Sequence, residues 1–395
     1  MNLKYTQAVY LSLILLSLPS LSLLNFELLN YPLNGFVLFI PFLFIYASIQ
    51  RQLIHTPLLL LIIYITLVNI INYQNIRFSS YGLSLIFLIY IYSVFLIKDK
   101  ISIGQTLRVA KLIFYLYVVN ILLLFVLYHF NIIDSQIPGA SFDFRSGTMR
   151  YFGFTSEPSI TAFILFSCVY FINKFSPADK AKILFTLYYC LIIFFIKSSY
   201  AFMLALILIY SIISKQKLNI KFYFLTMFFL MSFILFAFNS NVYIGRILNF
   251  IEFLFKINLL DFEGALYSLD DSIYWRIIPT VNYILSGDFT LLGQGAGTGQ
   301  HHFMELFSTD VDLEYFGIGL FPNFLYDYGA IGALLFFYFF LYPFVRHGRW
   351  ITVFILLLLI YNAPFNTNHL WFCWLFLFFS EFGAIKQKIN YYYYY

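Results

Sequence analysis

Thr56-Pro-Leu-Leu-Leu-Leu-Ile-Ile-Tyr-Ile-Thr-Leu-Val-Asn-Ile-Ile-Asn72 runs for seventeen residues without a charge. As a helix it would rise about 25 Å at 1.5 Å per residue. A bilayer core asks for about 17–25 such residues. Outward from it, comparable runs recur along the chain. Spans are predicted near 8–24, 34–49, 56–72, 80–97, 108–129, 158–174, 182–197, 199–214, 221–239, 322–345, 350–362 and 367–383. The segment after Met1–Lys4 lacks a small-residue cleavage site, so it reads as a span and not as a removed signal peptide. The expected fold is all-α and polytopic, one transmembrane domain over residues 1–395 with about twelve transmembrane helices.

Composition agrees. Hydrophobic residues make up 62% of the 395 and charged residues 10%. A soluble domain carries roughly 25% charged residues, so this chain could not solvate a globular surface. Its abundant Phe and Tyr fit interfacial aromatic belts, and equally fit nucleotide bias in the gene. Cys168, Cys190 and Cys373 lie in apolar segments without a CxxC pair, which implies neither a disulfide framework nor a zinc site. The terminal Tyr391–Tyr395 run reads as a disordered or interface-lying tail.

Lys and Arg set the orientation. With the N-terminus inside, sixteen of the 23 lie on the inner side and seven outside: Arg77, Arg145, Arg150, Lys197, Arg246, Lys256 and Arg276. Both termini are then cytoplasmic, and two long exterior loops remain, 131–156 and 239–321. These hold most of the Gly-rich and charged sequence, so the chemistry is expected to face outward.

The first loop reads Arg145-Ser-Gly-Thr-Met-Arg150-Tyr-Phe-Gly-Phe-Thr-Ser156-Glu157-Pro158-Ser159. Ser156 is a good N-cap and Pro158 suits a first helical turn, so Ser-Glu-Pro reads equally as a well-made helix start. Two arginines ahead of a helix N-terminus, against the charge bias, suit an anion, whether a ligand or lipid headgroups. The second loop carries Trp275-Arg276, then Gly293-Gln-Gly295-Ala-Gly297-Thr-Gly299-Gln-His301-His302. Such a glycine run permits close backbone approach to a ligand, and without a preceding strand it is not a nucleotide fingerprint. Asp310 and Asp312 form an isolated DxD pair without further metal ligands nearby.

Together with Pro322-Asn323-Phe-Leu-Tyr-Asp327-Tyr-Gly329-Ala-Ile-Gly332, these motifs give the chain a family resemblance. It resembles the bacterial O-antigen polymerases of the Wzy type and their relatives, the O-antigen ligases. The carriers are R-x4-R-x2-G-F-x2-E-P-S, then S-x3-R with L-L-G-x-G-x-G, then N-x-L-x2-Y-G-x-I-G. Lys197-Ser-Ser-Tyr-Ala looks like the family's basic-Ser turn with Lys where Arg is usual. Pro322 stands where family members often carry His.

The resemblance implies an inverting, metal-independent glycosyltransferase at the outer face of the bacterial inner membrane. It would join undecaprenyl-pyrophosphate-linked repeat units, with undecaprenyl pyrophosphate leaving. Arg145, Arg150 and Arg276 are the expected pyrophosphate ligands, since planar guanidinium forks suit phosphate. Lys197 adds a point charge. Gly293, Gly295, Gly297 and Asn323 form the expected substrate-binding loop. His301 and His302 are candidate bases by pKa range, though tandem loop histidines equally read as plain surface residues. Glu157, weakened as a base by the helix N-terminus and the arginines, is expected to orient Arg150. No cofactor, metal or nucleic acid is expected. Expected partners are the lipid-linked repeats, membrane lipid, a chain-length regulator and a flippase. The alternatives are the ligase and a lipid-linked oligosaccharide flippase. Against the flippase stand the long exterior loops and the scarcity of mid-span charges.

Overall fold

A computed structural model describes residues 2–18, 56–132, 157–213, 290–299, 320–363 and 367–392. Shorter pieces cover 26–28, 31–33, 139–143, 148–155, 281–287 and 302–303, with a few single positions. The span expected at 221–239, and all but single positions of 34–49, lie outside these residues. The chain is mostly helical. Four described helices, Phe78–Leu96, Ile103–His129, Pro158–Phe175 and Pro322–Phe340, are long and apolar enough to cross a membrane. Two compact units form, one from Met1–Val109 with Tyr274–Tyr395, the other from Ala110–Ile273.

In the first unit, α1 (Asn2–Ser17) is followed by a short antiparallel hairpin, β1 (Phe26–Leu28) and β2 (Tyr31–Leu33). The span expected at 8–24 therefore ends early. Pro19 explains the stop, because the residue before a proline is pushed out of the helical region. Next come α2 (Thr56–Ile71), α3 (Phe78–Leu96), a 3₁₀ turn at Lys98–Lys100 and the start of α4 (Ile103–His129). Their embedded hydroxyls bond back to the helix, as Thr66 Oγ1 does to the Ile62 carbonyl and Ser93 Oγ to that of Ile89, both at 2.8 Å.

The expected span 322–345 is corrected most. Helix α8 (Leu320–Phe340) has left-handed geometry at Gly329, φ 64° and ψ −170°. The Phe324 and Phe336 ring centroids stand 5.0 Å apart. In a straight helix twelve residues span about 18 Å, so the chain bends sharply here. A second break at Leu341 leads into α9 (Tyr342–Arg346), where Pro343 begins a new turn. Then follow α10 (Trp350–Asn362) and α11 (Asn368–Tyr392). Trp374 binds this group together. Its ring stacks on Phe340 at 5.6 Å and on Phe95 of α3 at 5.5 Å, and its Nε1 donates to the Phe340 carbonyl at 3.1 Å. Farther along α11, Glu381 is 2% exposed; Arg349 Nε approaches its Oε2 to 3.0 Å, off the line of a hydrogen bond, and Thr352 Oγ1 donates to its Oε1 at 3.0 Å.

In the second unit, α4 continues to His129. A second hairpin follows, β3 (Ala140–Asp143) with β4 (Thr148–Tyr151), then α5 (Pro158–Phe175), α6 (Asp179–Ile196) and α7 (Ser199–Ile213). Helix α5 is apolar on every side and is buried continuously from Ile160 to Ile172, as an all-round hydrophobic helix must be. Both hairpins add strand to an expected all-α fold.

Candidate functional site

The bend in α8 frees backbone groups that lipid cannot satisfy. The glycine run supplies their partners. Gly295 N–H donates to the Asp327 carbonyl at 2.8 Å and Gln294 N–H to that of Tyr326 at 3.1 Å. Beyond the bend, Ala330 and Ile331 N–H donate to the carbonyls of Thr290 and Leu291, both at 3.2 Å. Tyr64 of α2 donates its hydroxyl to the Tyr328 carbonyl at 3.0 Å. The Asp327 side chain closes the clasp. Its Oδ2 accepts from Gly297 N–H at 2.9 Å, and its Oδ1 accepts from Gly299 N–H at 2.7 Å and Thr298 Oγ1 at 3.2 Å.

Every amide from Gly293 to Gly299 is thereby engaged inside the protein. Gly293 N–H donates to Thr290 Oγ1 at 3.1 Å, Ala296 N–H to Asn69 Oδ1 at 2.8 Å and Thr298 N–H to the Gly295 carbonyl at 3.4 Å. The run has no amide left to cradle an anion. Its glycines answer to close packing: a Cβ on Gly293 would sit 2.5 Å from Tyr328 backbone, and one on Gly297 would sit 2.7 Å from Arg77 Cβ. All three of Gly293, Gly295 and Gly297 have positive φ. A substrate meeting this loop would meet carbonyls, side chains and the rim residue Arg77, whose own N–H donates to the Ala296 carbonyl at 2.8 Å.

His302 stacks on Tyr326 with centroids 4.4 Å apart, and the Asn323 carbonyl lies 3.0 Å from where a Gly299 Cβ would be. Both therefore border the clasp. His301, Arg276, Asp310 and Asp312 lie outside the described residues.

In the second unit, Arg150 sits in β4 opposite Ser141 and is partly buried. Burial, then the nearby Tyr128 phenol, push the Tyr151 hydroxyl up to about 12, so Arg150 has a neutral neighbour. The chain turns at Gly153, φ 75°, and enters α5. Thr155 and Thr161 hydroxyls stand 2.7 Å apart, and Thr161 also donates to the Phe152 carbonyl, which ties the turn to the helix. Glu157, not Ser156, occupies the N-cap of α5, and its side chain makes no capping hydrogen bond. Its carboxylate accepts from Ser159 Oγ at 3.2 Å. Lys197 ends α6 in left-handed conformation, φ 50° and ψ 59°. Arg145 and Ser156 lie outside the described residues.

The residues that sequence reasoning passed over are Asp327, Tyr64, Asn69 and Arg77. Asp327 carried a usable signal, a lone carboxylate inside an apolar run. No family model, curated protein or solved structure matches the chain.

Proposed function

We propose that the protein is a polymerase of lipid-linked oligosaccharide repeat units, with about twelve spans, both termini cytoplasmic and the two long loops periplasmic. A hydroxyl of the incoming repeat attacks the anomeric carbon of the growing chain and gives up its proton to a base, a role assigned to the His301–His302 pair. The carbon–oxygen bond to pyrophosphate breaks, and undecaprenyl pyrophosphate leaves with the electron pair. Arg145 and Arg150 are assigned to that departing charge, where fixed cations are worth most because water is scarce; Arg276, the third cation that the resemblance implies, is tested by its own variant.

The observation that carries this reading is Arg150 in a hairpin that leads into the N-terminus of α5, where the N-cap side chain makes no capping hydrogen bond. A guanidinium beside a helix N-terminus is a phosphate-binding arrangement. The inferred sidedness gains support from Arg77 and the glycine run, both read as exterior and in contact within one unit.

A flippase for the same lipids is the second reading. The bend in α8 favours it, since transporters place substrates at interrupted helices. The glycans of a strain lacking the protein separate the readings. Core bearing a single repeat unit means polymerase. Loss of every repeat from core with polymer kept on the carrier means ligase, and loss of all exterior repeats means flippase.

A further inference from the structure

Helices α10 and α11 meet at a short turn, and the residues flanking it are polar and enclosed. Asn362 closes α10 at 7% exposure and His369 opens α11 at 4%. Asn362 Oδ1 and Nδ2 and His369 Nε2 find no hydrogen-bond partner among the described residues. Three such atoms on the two residues that flank one turn call for an occupant, because a buried unmet donor or acceptor forfeits the bonds it had in water.

The turn itself is fixed. Phe365 packs its ring 5.0 Å from Phe324 and 5.2 Å from Trp371, whose Nε1 donates to the Phe365 carbonyl at 2.9 Å. Phe324 in turn lies 4.8 Å from Tyr328, the residue before the bend. Through Phe324 the turn between the two helices is thereby linked to the bend of α8.

The donor set identifies the ligand chemistry. A carboxamide offers donors and an acceptor together, and a neutral imidazole one of each. Between Arg349 and Glu381 the sequence contains no Lys, Arg, Asp or Glu. A phosphate has no donor for Asn362 Oδ1, and the stretch between Arg349 and Glu381 offers it no lysine or arginine. A hydroxyl both donates and accepts, and so matches the set.

We propose that Asn362 and His369 bind a sugar hydroxyl of the lipid-linked substrate and so form a specificity site. The substrate class rests on the polymerase reading; the binding site does not need catalysis to be observed. The probe is repeat-unit oligosaccharide released from its lipid carrier, added to the purified full chain in detergent.

The oligosaccharide is expected to raise the thermal midpoint of the wild type, and Asn362→Leu with His369→Phe to remove at least nine-tenths of that rise. His369→Asn, polar but shorter, carries the same expectation should the apolar variants not reach the membrane. A ligand-induced rise retained in these variants overturns the proposal, as does a wild type that shows none, since the occupant is then water alone. Binding that depends on the pair in a protein that forms no polymer upholds the site and removes the polymerase reading instead.

Discussion

The Gly299 amide donates to Asp327 Oδ1 at 2.7 Å across 28 residues of sequence. This bond and its companion from Gly297 join a soluble-looking glycine run to a carboxylate within an apolar helix. The pairing accounts for both oddities at once. The helix can bend at Gly329 because the run satisfies the freed backbone, and the run is ordered because the bend offers it acceptors.

Asp327→Ala removes three accepted hydrogen bonds. At about 0.5–1.5 kcal/mol net for each, the folded unit should lose roughly 2–4 kcal/mol. Asp327→Asn should lose less, since one acceptor oxygen remains while its NH₂ faces a backbone donor. Thermal unfolding in detergent, with proteolysis of the 290–299 segment, checks the order. Equal midpoints for wild type and Asp327→Ala would show that the clasp adds no stability.

The glycines divide by what surrounds them. Gly293, Gly297 and Gly287 all have positive φ, where an L-residue costs about 1–2 kcal/mol. A Cβ on Gly287 would meet nothing among the described residues, whereas one on Gly293 would meet Tyr328 backbone at 2.5 Å. Gly293→Ala should therefore be the most damaging, Gly297→Ala intermediate because the Arg77 side chain can give way, and Gly287→Ala the mildest. The same unfolding measurement ranks them, and a Gly287→Ala variant as damaged as Gly293→Ala would contradict the packing account.

Glu381 is 2% exposed while its partner Arg349 is 41% exposed. Breaking a fully buried pair costs about 3–5 kcal/mol. Solvent screening at Arg349 lowers that, to about 2 kcal/mol for Arg349→Ala. Replacing both, Arg349→Met with Glu381→Leu, should restore stability to within about 1 kcal/mol of wild type, because no buried charge is left unpaired. A double variant no better than Arg349→Ala would show that Glu381 matters for more than its charge.

Sidedness rests on the sixteen-to-seven division of Lys and Arg. Reporter fusions after Arg145 and Arg276 should report periplasm, and those after Ala178, Lys217 and His347 cytoplasm. A cytoplasmic signal from either long loop removes the mechanism together with the topology.

The helices were legible wherever an apolar run had a clear end. The spans 56–72, 158–174 and 350–362 meet helices Thr56–Ile71, Pro158–Phe175 and Trp350–Asn362 almost residue for residue. Residues 322–345 misled because hydropathy is blind to backbone angle, and Gly329 reads as one more small apolar residue until the chain bends there. Asp327 and Glu381 fall inside runs so apolar that they left the spans looking free of mid-span charge, and both proved to be anchoring points. The hairpin that carries Arg150 was hidden for the opposite reason: strands of four residues between turn-forming segments leave little periodicity to read.

Polymer synthesis itself is the most direct test. Purified protein in lipid vesicles, given lipid-linked repeat units extracted from the deletion strain, should yield a ladder of chain lengths, with the metal chelator EDTA present. Arg150→Lys and Arg276→Lys should each slow it about a hundred- to a thousand-fold, since Lys keeps the charge and loses the fork. Absence of any ladder from the wild type, or full activity in both Lys variants at matched protein level, would contradict the account.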